Sequence, residues 1–310
     1  MYLPSYAKLH EKGLLKDRAA RAVSLLADCR LCPRGCGADR MQGETGFCRT
    51  GRRARVASFG PHFGEESPLV GSHGSGTIFF SSCNLLCSFC QNYEISHLRQ
   101  GKEVSAQDLA GMMLDLQEKG CHNINFVTPS HVVPQILEAL VMAVEAGLAI
   151  PLVYNTGGYD TVASISLLRD VFDIYMPDFK FWDEEPAEAL CSAPDYREAI
   201  CTAIREMHDQ VGDLVMDERG IAWRGLLVRH LVMPGGLAGT GEVMRFLARE
   251  ISRNTYVNVM DQYRPCYRAA DQEGINRRIT AQEYEEALNA ARKAGVTRLD
   301  ARVRFFFRLP

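Results

Sequence analysis

From about residue 71 the chain alternates two hydrophobic rhythms. Short apolar runs of β type fall at 77–80, 123–127, 151–154, 172–176, 225–232 and 256–260. Between and after them, polar and apolar positions recur at helical spacing near 105–120, 134–147, 161–170, 186–211, 240–253 and 280–295. Ser105 opens the first of these with an N-cap residue. Strand and helix in alternation predict a parallel sheet with helices packed outside it. The runs are apolar along their length, as strands covered on both faces should be. The expected class is α/β, a partial (β/α)6 TIM-like barrel; the pattern alone leaves a doubly wound open sheet open. The segment 214–223 reads as a small hairpin turning at Arg219-Gly220.

The first 70 residues behave differently. Residues 5–28 predict one helix, with Leu15, Ala19, Ala22, Val23 and Leu26 on one face. A Cys- and Gly-rich stretch, 29–51, follows with too few apolar residues to bury a core of its own. The expected division is therefore 1–70, a helix and a small metal-binding segment, and 71–310, the barrel with a C-terminal extension.

Composition narrows the function. The chain has 310 residues, is 46% hydrophobic and 24% charged, and carries a net charge of -3. That balance predicts no nucleic-acid surface and no membrane footprint. The basic group Arg49, Arg52, Arg53 and Arg55 reads as a solvated loop. The start has no long apolar region of signal-peptide type, so the cytoplasm is the expected location. Eleven cysteines, an odd number, argue against a disulfide framework there.

Seven of the eleven fall into two groups. Cys83, Cys87 and Cys90 form Cys-x3-Cys-x2-Cys on one loop after the first barrel strand, where (β/α) barrels carry reactive groups. Three thiolates so close suit three corners of a cubane and leave one iron open. Three structural or zinc-binding cysteines are the plainer alternative. Cys29, Cys32, Cys36 and Cys48 make a second set, equally suited to zinc or to an auxiliary iron–sulfur cluster. Cys121, Cys191 and Cys201 read as packing thiols, and Cys266 lies next to a strand end.

The stretch from Cys83 to Cys90, with Phe89 before the last cysteine, resembles the Cys-x3-Cys-x-aromatic-Cys signature of the radical S-adenosylmethionine superfamily. The resemblance covers roughly 75–265. It implies a 4Fe-4S cluster and S-adenosylmethionine, whose reductive cleavage yields a 5′-deoxyadenosyl radical that abstracts hydrogen from substrate. Asp178-Phe179-Lys180 resembles the Asp-x-Lys motif of the glycyl-radical-enzyme activating branch. A carboxylate and an ammonium on alternate residues of a strand face one side, where they could bracket a methionyl group. The N-terminal segment and the 71–77 lead-in resemble activating enzymes of pyruvate formate-lyase type. Cofactor contacts are expected from Phe89, Thr128, Ser130, Asn155, Thr156, Asp178, Lys180, Arg229, Met260, Gln262 and Tyr263. Arg229 is expected to face inward and its neighbour His230 outward. The Gly-Gly-Glu-Pro motif of many members is replaced by Thr128-Pro129-Ser130-His131, which carries no carboxylate. His131 reads as a structural residue ahead of a general base. The resemblance further implies a reduced flavodoxin- or ferredoxin-type electron donor and a protein or peptide substrate. A small metabolite as substrate, or a non-catalytic zinc or iron–sulfur protein, remain the alternatives.

Overall fold

The computed structural model describes residues 2–300. Nine strands form the central sheet: β1 (Ala54–His62), β2 (Ser75–Phe80), β3 (Lys102–Val104), β4 (Ile124–Val127), β5 (Leu152–Thr156), β6 (Ile174–Pro177), β7 (Val215–Met216), β8 (Ala222–Leu231) and β9 (Tyr256–Met260). β2, β4, β5, β6, β8 and β9 lie parallel, each beside the next in chain order. A doubly wound sheet would reverse its order at a switch point. This order never reverses, and the fold is a mixed α/β arrangement of the partial-barrel kind.

The period of two along each strand splits its side chains between two cores. Leu152, Tyr154, Leu226 and Val228 join the large core shared with the helices. Val153, Ile174, Met176 and Leu227 join a smaller inner one, plugged by Leu69. Burial on both faces is why these strands read as continuous apolar runs.

β1 and β3 were not legible as strands. β1 pairs antiparallel with β2 and with β3, so residues before 71 extend the barrel sheet. The basic group is correspondingly less free than a solvated loop. Arg55 lies in β1 and donates to the Gly101 carbonyl, and Arg52 makes a two-pronged bond to Glu138. The expected helix over 5–28 is broken into Ser5–Glu11, Leu14–Ser24 and a 3-10 turn at Leu25–Asp28. The break falls at Gly13, whose φ of 73° is left-handed and open to glycine at little cost. The helix expected over 186–211 is likewise two, Glu184–Cys191 and Tyr196–Val211. Ser105 caps the helix Ala106–Glu118 in a capping box with Asp108. The hairpin at Arg219-Gly220 forms between β7 and β8.

The chain's start is tied to the barrel. Tyr2 Oη and the Ser5 amide donate to one oxygen of Asp173 at 2.6 and 2.9 Å, and Tyr6 Oη donates to the Ile150 carbonyl. No helix among the described residues is long and apolar enough to cross a membrane.

Candidate functional site

The cysteine loop leaves β2 through two left-handed residues, Ser82 (φ 76°) and Leu86 (φ 52°), which precede Cys83 and Cys87. Such conformations cost energy in non-glycine residues and concentrate at functional loops. They turn three thiols toward one cavity of about 240 Å³ at the C-terminal ends of the strands. Phe89, Thr128, Asn155, Thr156, Asp178, Lys180, Arg229, Met260 and Gln262 line the same cavity. Thr128 is also left-handed (φ 61°), unusual for a β-branched residue. Gly157 lets the loop close in, because a Cβ there would meet the Leu85 side chain at 2.9 Å.

Two expected contacts stand behind the wall. Ser130 is buried and pairs with Thr156 Oγ1 at 2.9 Å, in a network that ends on Asp160. Tyr263 is buried with its hydroxyl on the Ile275 carbonyl, and its ring packs on Phe89. His230 faces outward, between the Phe179 carbonyl and Thr240 Oγ1. Cys266 does not line the cavity.

Charge in the cavity is concentrated at the end of β6. Both oxygens of Asp178 are used: Oδ1 accepts from Arg229 Nε at 2.6 Å and Oδ2 from Lys180 Nζ at 2.7 Å. Arg229 also donates to Asn155 Oδ1 and lies 3.9 Å from Glu65, which itself pairs with His62. Burial disfavours the Asp178 carboxylate, but Arg229 and Lys180 outweigh it and hold its carboxyl below the usual range. Lys180 is held above the usual ammonium range: burial is outweighed by Asp178 and its other neighbours. Asp178 thus holds two cations, and Lys180 and Arg229 keep further N–H groups beyond those it engages.

Cys191 is buried in the core, as a packing thiol should be, and its Sγ also lies 3.2 Å from Cys87 Sγ. Ser96 Oγ similarly lies 3.2 Å from Cys90 Sγ. Cys191 is brought in by the fold from 104 residues away, whereas Ser96 follows Cys90 by six residues.

The donor set fits a cubane cluster. Burial pushes the Cys83 thiol up to about 12, so metal binding there must displace a proton. Among the described residues no three His, Cys, Asp or Glu side chains are grouped closely enough to hold a single metal ion. Three thiols that line one cavity can serve three corners of a cubane and leave the fourth iron open.

Residues 77–218 match the radical S-adenosylmethionine superfamily. An uncharacterized protein of Methanocaldococcus jannaschii is 34% identical over 289 residues, covering 91% of this chain and 79% of the relative. The chain belongs to the radical S-adenosylmethionine superfamily. Membership implies a 4Fe-4S cluster and S-adenosylmethionine, which together supply the radical chemistry that side chains cannot.

Proposed function

We propose that the protein generates a 5′-deoxyadenosyl radical to abstract hydrogen from a protein or peptide, with a glycyl-radical enzyme as the candidate substrate. Cys83, Cys87 and Cys90 hold the cluster in this reading. Lys180 and Arg229, fixed by Asp178, receive the methionyl carboxylate, while Thr128 and Asn155 offer oxygens to its amine. A reduced flavodoxin- or ferredoxin-type protein supplies the electron. Cys29, Cys32, Cys36 and Cys48 hold a second metal, zinc or an iron–sulfur cluster.

The choice of a polypeptide substrate is supported by Asp178-Phe179-Lys180, which lies at the cavity and resembles the Asp-x-Lys motif of the glycyl-radical-enzyme activating branch.

The test is anaerobic, reconstituted protein with reductant and S-adenosylmethionine. The expected result is release of 5′-deoxyadenosine, lost in the triple variant C83A/C87A/C90A. Deuterium should enter it from a labelled protein partner. Transfer from a labelled metabolite in the absence of any polypeptide would overturn the substrate assignment.

A further inference from the structure

A face of aromatic rings and cations lies against the cysteine loop, outside the cavity. Its centre is His97, just past the short helix Tyr93–Ser96. His97 Nε2 lies 3.0 Å from the Cys87 carbonyl, which can only accept, so the imidazole donates to the backbone of that cysteine. One hydrogen bond and the Cys87 side chain thus separate this ring from the iron that Cys87 would hold.

The Tyr267 ring packs against His97 and Tyr93, with centroids 4.4 and 5.2 Å apart. Its turn, Tyr267–Asp271, is fastened to the cysteine loop. The Arg268 amide donates to the Ser88 carbonyl at 3.0 Å, and Ser88 Oγ donates to Gln272 Oε1 at 2.8 Å. Tyr267 has a φ of 54°, a left-handed backbone unusual for a bulky residue, and Arg49 has the same φ. Strain of this kind concentrates at functional sites. Both strained residues belong to this face.

The centre of the face is positive. Arg268 lies over the Tyr267 ring, 5.3 Å from its centroid. Burial, Arg268 and Arg49 push the His97 imidazole down, against its bond to the Cys87 carbonyl. Glu94 and Asp271, the acids of the same two elements, are exposed and are not among the charges that act on His97. Among the described residues neither guanidinium has a carboxylate partner. Leu98, 59% exposed, adds an apolar contact. Tyrosine and arginine are enriched where proteins bind one another, and unpaired cations select a partner of opposite sign. His97, Tyr267, Arg268 and Arg49 do not line the cavity, so a substrate at its mouth does not need them.

Reductive cleavage of S-adenosylmethionine needs an electron from outside the chain. We infer that this face docks the electron donor, an acidic one-electron carrier protein, and passes the electron to the cluster by way of His97 and Cys87. The carrier is oxidised by one electron and the cluster reduced by one, and no bond breaks in that step. The inference rests on the radical reading above and names the surface that its donor uses.

Stopped-flow reduction of the oxidised cluster in the anaerobically reconstituted full chain tests this. Reduced flavodoxin and reduced ferredoxin serve as acidic donors, and reduced methyl viologen as a small cationic one. R49E and R268E are expected to slow reduction by the acidic donors about tenfold or more, since charge steering is worth about 10- to 1,000-fold in association rate. Added salt should slow the wild type steeply and the variants little. Reduction by methyl viologen should proceed alike in wild type and variants, which shows the cluster intact. Unchanged rates with the acidic donors in both variants would overturn the proposal. So would equal losses with methyl viologen, or a wild type that methyl viologen reduces and neither acidic donor does. The readout is cluster reduction alone, so an absence of 5′-deoxyadenosine would overturn the proposed reaction and leave this docking face standing.

Discussion

The Cys191 thiol lies 3.2 Å from Cys87 Sγ, buried behind the cluster loop. Once Cys87 ligates iron it can only accept, so Cys191 becomes the donor. Hydrogen bonds to cluster sulfurs tune reduction potential. Cys191→Ala is therefore expected to keep the iron of the radical site and to lower that cluster's midpoint potential. Redox titration followed by paramagnetic resonance checks it; an unchanged potential would return Cys191 to mere packing.

Asp178 is the anion on which two cavity cations depend. Removing one partner of a buried ion pair costs about 3–5 kcal/mol. Asp178→Ala should lose stability on that scale in urea titrations. Arg229→Met and Lys180→Met, which also take away a charge, should instead show weakened S-adenosylmethionine binding, about tenfold or more, by calorimetry on the reconstituted protein. Equal affinity in both Met variants would contradict the assignment of the methionyl carboxylate to this pair.

Gly158 and Gly13 have similar left-handed backbones, φ 80° and 73°, in opposite surroundings. A Cβ at Gly158 would press on the Asp178 carbonyl at 2.8 Å and on Ile200, whereas one at Gly13 meets nothing. Gly13→Ala should cost about 1 kcal/mol, the left-handed penalty alone. Gly158→Ala should cost several times more, because the neighbour is backbone. Thermal melts of the two variants compare them directly.

His230 is buried and neutral, and burial pushes its imidazole down to about 4. The unfolded chain takes up that proton near pH 6.5, the folded chain only near 4. Between those values the unfolded state binds more protons, so stability falls as pH falls. The contribution is intact above about pH 6.5. His230→Gln should show a shallower loss than the wild type between pH 6.5 and 4 in urea midpoints.

How much of this the sequence showed depends on what kind of order each part has. The six parallel strands were legible because burial on both faces makes Val153 and Tyr154 apolar alike. β1 was not, because Ser58, Gly60 and Pro61 interrupt its pattern. The convergence of Cys83, Cys87 and Cys90 on one cavity was legible because they lie close in sequence. Asp178 and Lys180 were visible, but their engagement was not, since Arg229 arrives from β8. Ser130 and Tyr263 were misplaced by one layer: a strand-end position gives proximity to the site and leaves orientation open. Cys191 meets Cys87 only through tertiary contact, 104 residues apart in the chain, and no spacing rule reaches across that distance.

The tie between Tyr2 and Asp173 has a consequence for the order of events on the ribosome. Tyr2 and Tyr6 bond to residues more than 140 positions downstream. Contacts of such long sequence separation form late. Until the fourth parallel strand has emerged, Tyr2 and Ser5 lack the Asp173 carboxylate that ties the chain's start to the barrel.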